Sequence, residues 1–263
     1  MSFFSKSFFT AKTFAALSNN STLSIALSIV LLLGGAACST TSQQLKMDED
    51  GNYLGTLLVY DERESNESNA MFQTEIRILP HRMLISDNRN KSGYLLVDRD
   101  KKIIYNVNIE DKTIMEIKSE PITTPSPIKI DYSVESQPSG AIPKIATVKA
   151  THYRIDVNGK HCYDTVTAGK DFMPEITQAL AEFRQILASE HAKSVASIPK
   201  DMIDGCDLAL NVYNASDHLA NGFPLREWGQ HGYLRFVRYW RTDVKIKPQN
   251  LELPKGYETY SIH

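Results

Sequence analysis

Residues Met71–Leu79 alternate strictly: Phe72, Thr74, Ile76 and Ile78 fall on one side, and Gln73, Glu75 and Arg77 on the other. A two-residue period fits a strand with one face buried, because successive strand side chains point to opposite faces. Apolar runs of similar length surround it: Leu54–Tyr60, Arg82–Ser86, Tyr94–Val97, Lys102–Asn108 and Thr113–Lys118. The short links between them (DNRNKSG, DRDK, IEDK) carry Asp, Asn, Gly and Lys. Evenly spaced strands with tight polar turns predict an antiparallel meander.

Pro80 ends the alternating strand, and Glu120–Pro143 holds five of the eleven prolines. Proline has no N–H to give to a ladder, so this stretch is excluded from the middle of a sheet and reads as a long crossing connector. Strand character resumes over Ile145–Val157. Asn158-Gly159 supplies two residues that tolerate positive φ, as a two-residue hairpin requires, so a return strand is expected over Lys160–Thr167. Two helices follow. Pro174 suits a first helical position and Glu175 the positive end of the helix dipole. Ile176, Ala179, Leu180, Phe183 and Leu187 then recur at helical spacing toward an end near Lys193. Pro199 opens a second stretch, started by Asp204 and Asp207, in which Cys206, Ala209, Leu210 and Tyr213 share a face. Phe223–Trp228 and Gly232–Lys245 read as strands, and Leu253–Tyr257 leads into a terminal β segment. The expected class is α+β, a many-stranded antiparallel sheet with two helices inserted late.

The N-terminus gives an address. Leu23–Leu33 is an uncharged run of eleven residues, followed by Gly34-Gly35-Ala36-Ala37 and Cys38. A membrane-spanning helix needs roughly 20 apolar residues, so a core this short suits a secretory signal. Small residues admit a peptidase, and Cys38 offers a thiol for acylation. The pattern resembles the bacterial lipobox, with Gly35 where that motif usually has a large aliphatic residue. It divides the chain into a signal over 1–37, a lipidated polar tether over 38–52 and one domain over 53–263. The alternative is an uncleaved signal anchor with Cys38 a bystander. The resemblance implies two or three acyl chains on Cys38, and Ser39 after it points to the outer membrane, facing the periplasm. With Cys38 acylated, Cys162 and Cys206 remain. An even pair in an oxidising compartment reads as a disulfide; the alternative is two separately buried thiols.

Beyond the signal, 27 basic residues stand against 31 acidic ones, so a nucleic-acid partner, which needs a basic footprint, is not expected. The sequence contains no Gly-x-Ser-x-Gly, no His-Glu-x-x-His and no phosphate-binding glycine loop. No catalytic residue, metal ligand or cofactor is therefore expected. A hairpin bringing His152, His161 and Cys162 together is the one metal arrangement to weigh; two half-exposed strand histidines are the plainer reading. The acids of Asp61–Glu67 read as a charged loop rather than a carboxylate pair. In Tyr233–Arg241 (YLRFVRYWR), Tyr233, Arg235, Val237, Tyr239 and Arg241 share one strand face. Such a face contacts anionic lipid or a peptidoglycan fragment, or else it is a packed strand with arginines extended to solvent.

Tyr94–Ile117, the Cys206 helix (CDLALNVYN), Gly222–Arg226 and Leu253–Tyr257 (LPKGY) resemble the bacterial lipoprotein-carrier class. These are the LolA/LolB-like proteins and uncharacterised periplasmic families of the same superfamily. The resemblance implies a curved antiparallel sheet, a half-barrel covering the two helices, with an apolar cavity. The expected function is that of a non-enzymatic envelope lipoprotein that binds an apolar ligand, a lipid or acyl chain, or assists envelope homeostasis. The alternative is a structural lipoprotein that binds a protein partner and has no ligand cavity. Expected partners are the membrane, through the Cys38 lipid, and a hydrophobic ligand or envelope protein.

Overall fold

A computed structural model describes residues 45–64, 70–137, 148–195 and 197–261. The expected signal, Cys38 and the first part of the tether lie outside the described residues.

Among these residues, twelve strands form one sheet: β1 (Tyr53–Arg63), β2 (Phe72–Ile78), β3 (Arg82–Asp87), β4 (Gly93–Asp98), β5 (Ile103–Asn108), β6 (Thr113–Lys118), β7 (Tyr132–Gln137), β8 (Ala150–Val157), β9 (Lys160–Ala168), β10 (Pro224–Gly229), β11 (Leu234–Ile246) and β12 (Glu258–Ser261). The spatial order is β12-β6-β5-β4-β3-β2-β1-β11-β10-β9-β8-β7. Two antiparallel meanders, β1–β6 and β7–β11, are thus joined along β1 and β11, and β12 adds to β6 in parallel. With helices inserted between β9 and β10, the class is α+β.

The alternating strand buries Phe72, Thr74, Ile76 and Ile78. At the β8–β9 hairpin, Asn158 and Gly159 have φ of 54° and 75°. Three stretches depart from the sequence reading. Residues 45–52, expected as tether, form a turn held to the sheet: Asp48 accepts from the Asn52 N–H at 2.8 Å and pairs with Lys245 at 2.8 Å. The proline-rich connector contains β7, which occupies the sheet edge, where an irregular neighbourhood costs no ladder on the outer side. The charged loop begins later than expected, because Asp61, Glu62 and Arg63 continue β1.

The first helix, α1, spans Pro174–Val195. The second stretch is not one helix. A 3-10 turn (Lys200–Met202) precedes one α turn, α2 (Gly205–Leu208), then a π turn (Ala209–Tyr213) and a second 3-10 turn (Asp217–Asn221). Asp204 caps α2 by accepting from the Cys206 N–H at 2.8 Å. The π turn widens the helix locally, so the single face expected from the sequence is lost. Cys206, Leu208, Ala209 and Val212 are buried, while Leu210 and Tyr213 are half-buried. Gly222 then brings the chain against β9: its φ is 128°, and a Cβ there would meet the Ala168 carbonyl oxygen at 1.9 Å.

One buried cluster connects α1 (Ile176, Leu180, Phe183, Leu187) with residues of β1–β6 and β9–β11, among them Leu58, Met83, Val97 and Leu225. On the opposite face, Leu84, Leu96, Tyr105 and Ile114 are covered by Ile246, Leu251 and Tyr257 of the C-terminal segment. The buried clusters draw on described residues between Tyr53 and Tyr257, so this stretch carries a core of its own.

Cys162 on β9 and Cys206 on α2 form a disulfide, with a sequence separation of 44. Closing a loop of that length stabilises the fold by up to about 4 kcal/mol in the chain-entropy model. The double variant Cys162→Ala/Cys206→Ala is expected to unfold at lower urea concentration by a corresponding margin. An unchanged midpoint would show that the bridge adds nothing to stability.

Candidate functional site

Strand register assembles a buried row of polar side chains. Arg235 on β11 stands opposite Glu62 on β1 and also opposite Glu227 on β10, and Glu227 stands opposite Thr165 on β9. Residues directly opposite in an antiparallel pair share a face. Four neighbouring strands therefore carry Glu62, Arg235, Glu227 and Thr165 in line across the sheet, all buried.

Glu227 is the centre. The Arg235 Nε donates to its Oε2 at 2.7 Å, and Arg235 Nη2 donates to the same oxygen. The Tyr163 hydroxyl donates to Oε1 at 2.7 Å. His218, from the 217–221 turn, has Nε2 at 3.4 Å from Oε1, and Arg184 of α1 has Nη2 at 3.9 Å. Arg235 also lies over the Tyr60 ring, 4.4 Å from its centre, and 3.9 Å from Glu62.

Burial alone would raise the Glu227 carboxyl; Arg235, His218 and Arg184 together outweigh it and hold it well below the usual carboxylate range. Glu62 has a weaker hold on Arg235, and burial pushes its carboxyl up to about 7. Burial and the nearby Arg184 charge lower the His218 imidazole to about 4, so it stays neutral. Burial, reinforced by Glu227, raises the Tyr163 hydroxyl. At neutral pH the row thus combines fixed charges with one carboxyl near half-ionisation.

A cavity of about 540 Å³ lies beside this row, separated from it by Tyr163 and Arg184, which line the cavity and reach Glu227. Tyr163, Arg184 and Tyr233 line its buried end, beside the Cys162–Cys206 bridge. Val195, Ile203, Leu210 and Val212 line it together with the polar Asp207, Asn211 and Gln230, and the exposed Ile198, Met202 and Asp204 belong to the same lining. Ile176, Leu180, Phe183 and Leu187 of α1 pack against the sheet, and a second cavity of about 740 Å³ opens beside the start of α1, with Leu54, Ile78, Arg99 and Glu175 in its lining.

The residues weighed in the sequence are distributed differently. Cys162 is bonded to Cys206 and borders the cavity. His152 and His161 instead meet Asp164, each with its Nε2 at 2.7 Å from a separate carboxylate oxygen. Among the described residues, no group of three or more His, Cys, Asp or Glu side chains is arranged to hold a metal. The shared face over Tyr233–Arg241 does not run through. Tyr233, Arg235 and Val237 are buried, but Tyr60 pairs with Val237 and the adjacent Val59 with Tyr239, leaving Arg238 as an extra residue. Beyond this bulge the faces exchange: Trp240 packs on the core, and Tyr239 and Arg241 are exposed. Sequence reasoning missed Glu62, Arg184, His218 and Glu227. The charged neighbours of Glu62 hid it, and no periodicity marks the other three.

No family model and no curated protein matches the chain. An uncharacterised conserved protein from Thermus thermophilus is similar in structure, with a TM-score of 0.39, 9% identity, and coverage of 79% of this chain and 90% of that one. A structure of PNGF-II is similar with a TM-score of 0.37 and 7% identity, covering 80% of this chain and 31% of that protein.

Two outcomes test the row. Glu227→Gln leaves Arg235 buried beside a neutral amide and is expected to cost about 3–5 kcal/mol in urea unfolding. Glu62 has a folded pKa of about 7 against an ordinary 4.5, so its contribution to stability is full below 4.5 and is lost as pH rises through 7. Glu62→Gln imitates the protonated acid, so its thermal midpoint should gain on that of the parent between about pH 5 and about pH 8. A constant difference over that range would show that Glu62 does not titrate there.

Proposed function

We propose that this chain is a non-enzymatic envelope lipoprotein, anchored through Cys38, that holds an apolar ligand in the cavity beside the disulfide. The carrying observation is the cavity: about 540 Å³, with Val195, Ile203, Leu210 and Val212 in its lining and polar side chains, Asp204, Asp207 and Asn211 among them, beside these. Ligand pockets commonly enclose about 300–1,000 Å³ and are lined mainly by apolar side chains with a few placed polar groups. The lipobox-like Gly34–Cys38 segment supports the anchor. Among the described residues no helix is long and apolar enough to cross a membrane.

A LolA/LolB-like half-barrel is the finer reading of the architecture. The cluster joining α1 to nine strands supports it. Nine strands about 4.8 Å apart would span roughly 40 Å if flat, several times the width of one helix. A sheet that curls around α1 reconciles the two.

The packing of Leu180, Phe183 and Leu187 of α1 against the sheet favours a second reading, a protein-binding lipoprotein without a ligand. Native mass spectrometry of Ser39–His263, purified without detergent and then extracted with organic solvent, separates the two. Extra mass released as lipid is expected. A bare mass, with no uptake of a hydrophobic probe, would overturn the ligand reading in favour of the partner one.

A further inference from the structure

The turn before β1 shortens the expected tether. Residues 45–52 are fixed to the sheet by the Asp48–Lys245 pair and by an isolated bridge between Met47 and Tyr53. Leu45 follows Cys38 by seven residues, a length of chain that spans at most about 25 Å at full extension. Leu45 therefore lies no further than that from the surface that carries a lipid on Cys38.

Leu45 marks one pole of the domain. With Leu54 and Thr56 of β1, Thr242 of β11 and Ile176 of α1, it lines the second cavity. The opposite ends of the same elements reach the cavity beside the disulfide. Val195 ends α1 and lines that cavity, as does Tyr233, which precedes β11. Arg63, the last residue of β1, donates from Nε to the Gly232 carbonyl at 3.0 Å. β1 has 11 residues and α1 has 22, so each is roughly 30 Å long and the two cavities lie about that far apart. The pole nearer the anchor exposes Leu45 at 37% and Met47 at 55%. Its charges are mixed: Lys46 and Lys245 stand among Asp48, Glu49 and Asp50, with Lys245 paired to Asp48 and Asp50. Anionic lipid draws basic segments, so a surface of this mixture fits zwitterionic headgroups instead.

We propose that this pole seats on the bilayer that holds the anchor, with Leu45 and Met47 in contact with zwitterionic phospholipid. The second cavity then faces the membrane, and the cavity beside the disulfide is held away from it. The proposal rests on the reading of Cys38 as lipidated. It means that a ligand of the disulfide-side cavity exchanges with the aqueous side, not with the leaflet that carries the anchor.

The test uses the full chain, expressed with its signal, purified in detergent and reconstituted into phosphatidylcholine vesicles that contain a lipid with a nitroxide near the headgroup. An environment-sensitive fluorophore is attached at Glu49→Cys, beside Met47, or at Asp201→Cys, beside the exposed Met202 of the other pole. Cys162 and Cys206 are bridged and do not take the label. The Glu49 site is expected to show a blue-shifted emission that the nitroxide quenches, and the Asp201 site an emission that it leaves unchanged. Adding Leu45→Ser and Met47→Ser should abolish the quenching at the Glu49 site while the chain stays on the vesicles. Quenching at the Asp201 site, quenching at neither site, or quenching at the Glu49 site that survives both serines would overturn the seating and leave the anchor standing. A purified chain with no acyl mass on Cys38 would overturn the anchor, and the seating with it.

Discussion

The pairing of β1 with β11 is the constraint on which the rest of the structure depends. Each strand belongs to a separate meander, and their register decides which side chains meet across the join. It sets Glu62 opposite Arg235, while the β10–β11 register sets Arg235 opposite Glu227. The bulge at Val59/Tyr60 turns Trp240 inward to the core, two residues after Arg238 has turned outward to Asp61. One irregularity in a ladder thus separates a charged inner half of β11 from an exposed polar one.

The row runs against the usual economy of a core. Moving two ions out of water costs several kcal/mol each, and mutual attraction offsets this only with good geometry and further hydrogen bonds. Glu227 has both: Arg235 approaches through two nitrogens, and Tyr163 takes the remaining oxygen. Glu62, 3.9 Å from Arg235, does not, and its raised pKa is the sign of that weaker compensation. Replacing a buried ion pair by aliphatic side chains of similar volume is often neutral or stabilising. The polar row's contribution is placement, since it fixes Arg184 and Tyr163 in the wall of a cavity that also has Leu210, Val212, Asp207 and Asn211 in its lining.

Much of the fold is legible in the sequence because it rests on local chemistry. Alternation over Phe72–Ile78 gives the buried face of β2, and Asn158-Gly159 gives a hairpin because the backbone there needs positive φ twice. Pro174 and Glu175 mark the start of α1. The site is less legible because tertiary register assembles it. Glu62 lies among acids that resemble a solvated loop, and only pairing with β11 buries it. Arg184 sits between Phe183 and Ile186 on a helix whose apolar spacing gives no reason to expect a buried guanidinium. The π turn at Ala209–Tyr213 defeats a helical-wheel reading because the wheel assumes a constant turn.

The join between the meanders also orders events in time. Tyr53 meets Ile246 and Arg63 meets Leu234, so β1 waits for nearly the last strand of the chain before its second edge is covered. Non-local pairings of this kind form slowly because loop-closure entropy must be met before the contacts reward it. Until then, β1–β6 present an uncapped apolar strand, LLVY over Leu57–Tyr60, to whatever is nearby. An exposed strand edge of that composition recruits other chains. A chain that emerges N-terminus first is therefore most vulnerable while its C-terminal third is still to come, and the cell has reason to shield that intermediate or to deliver the whole chain unfolded.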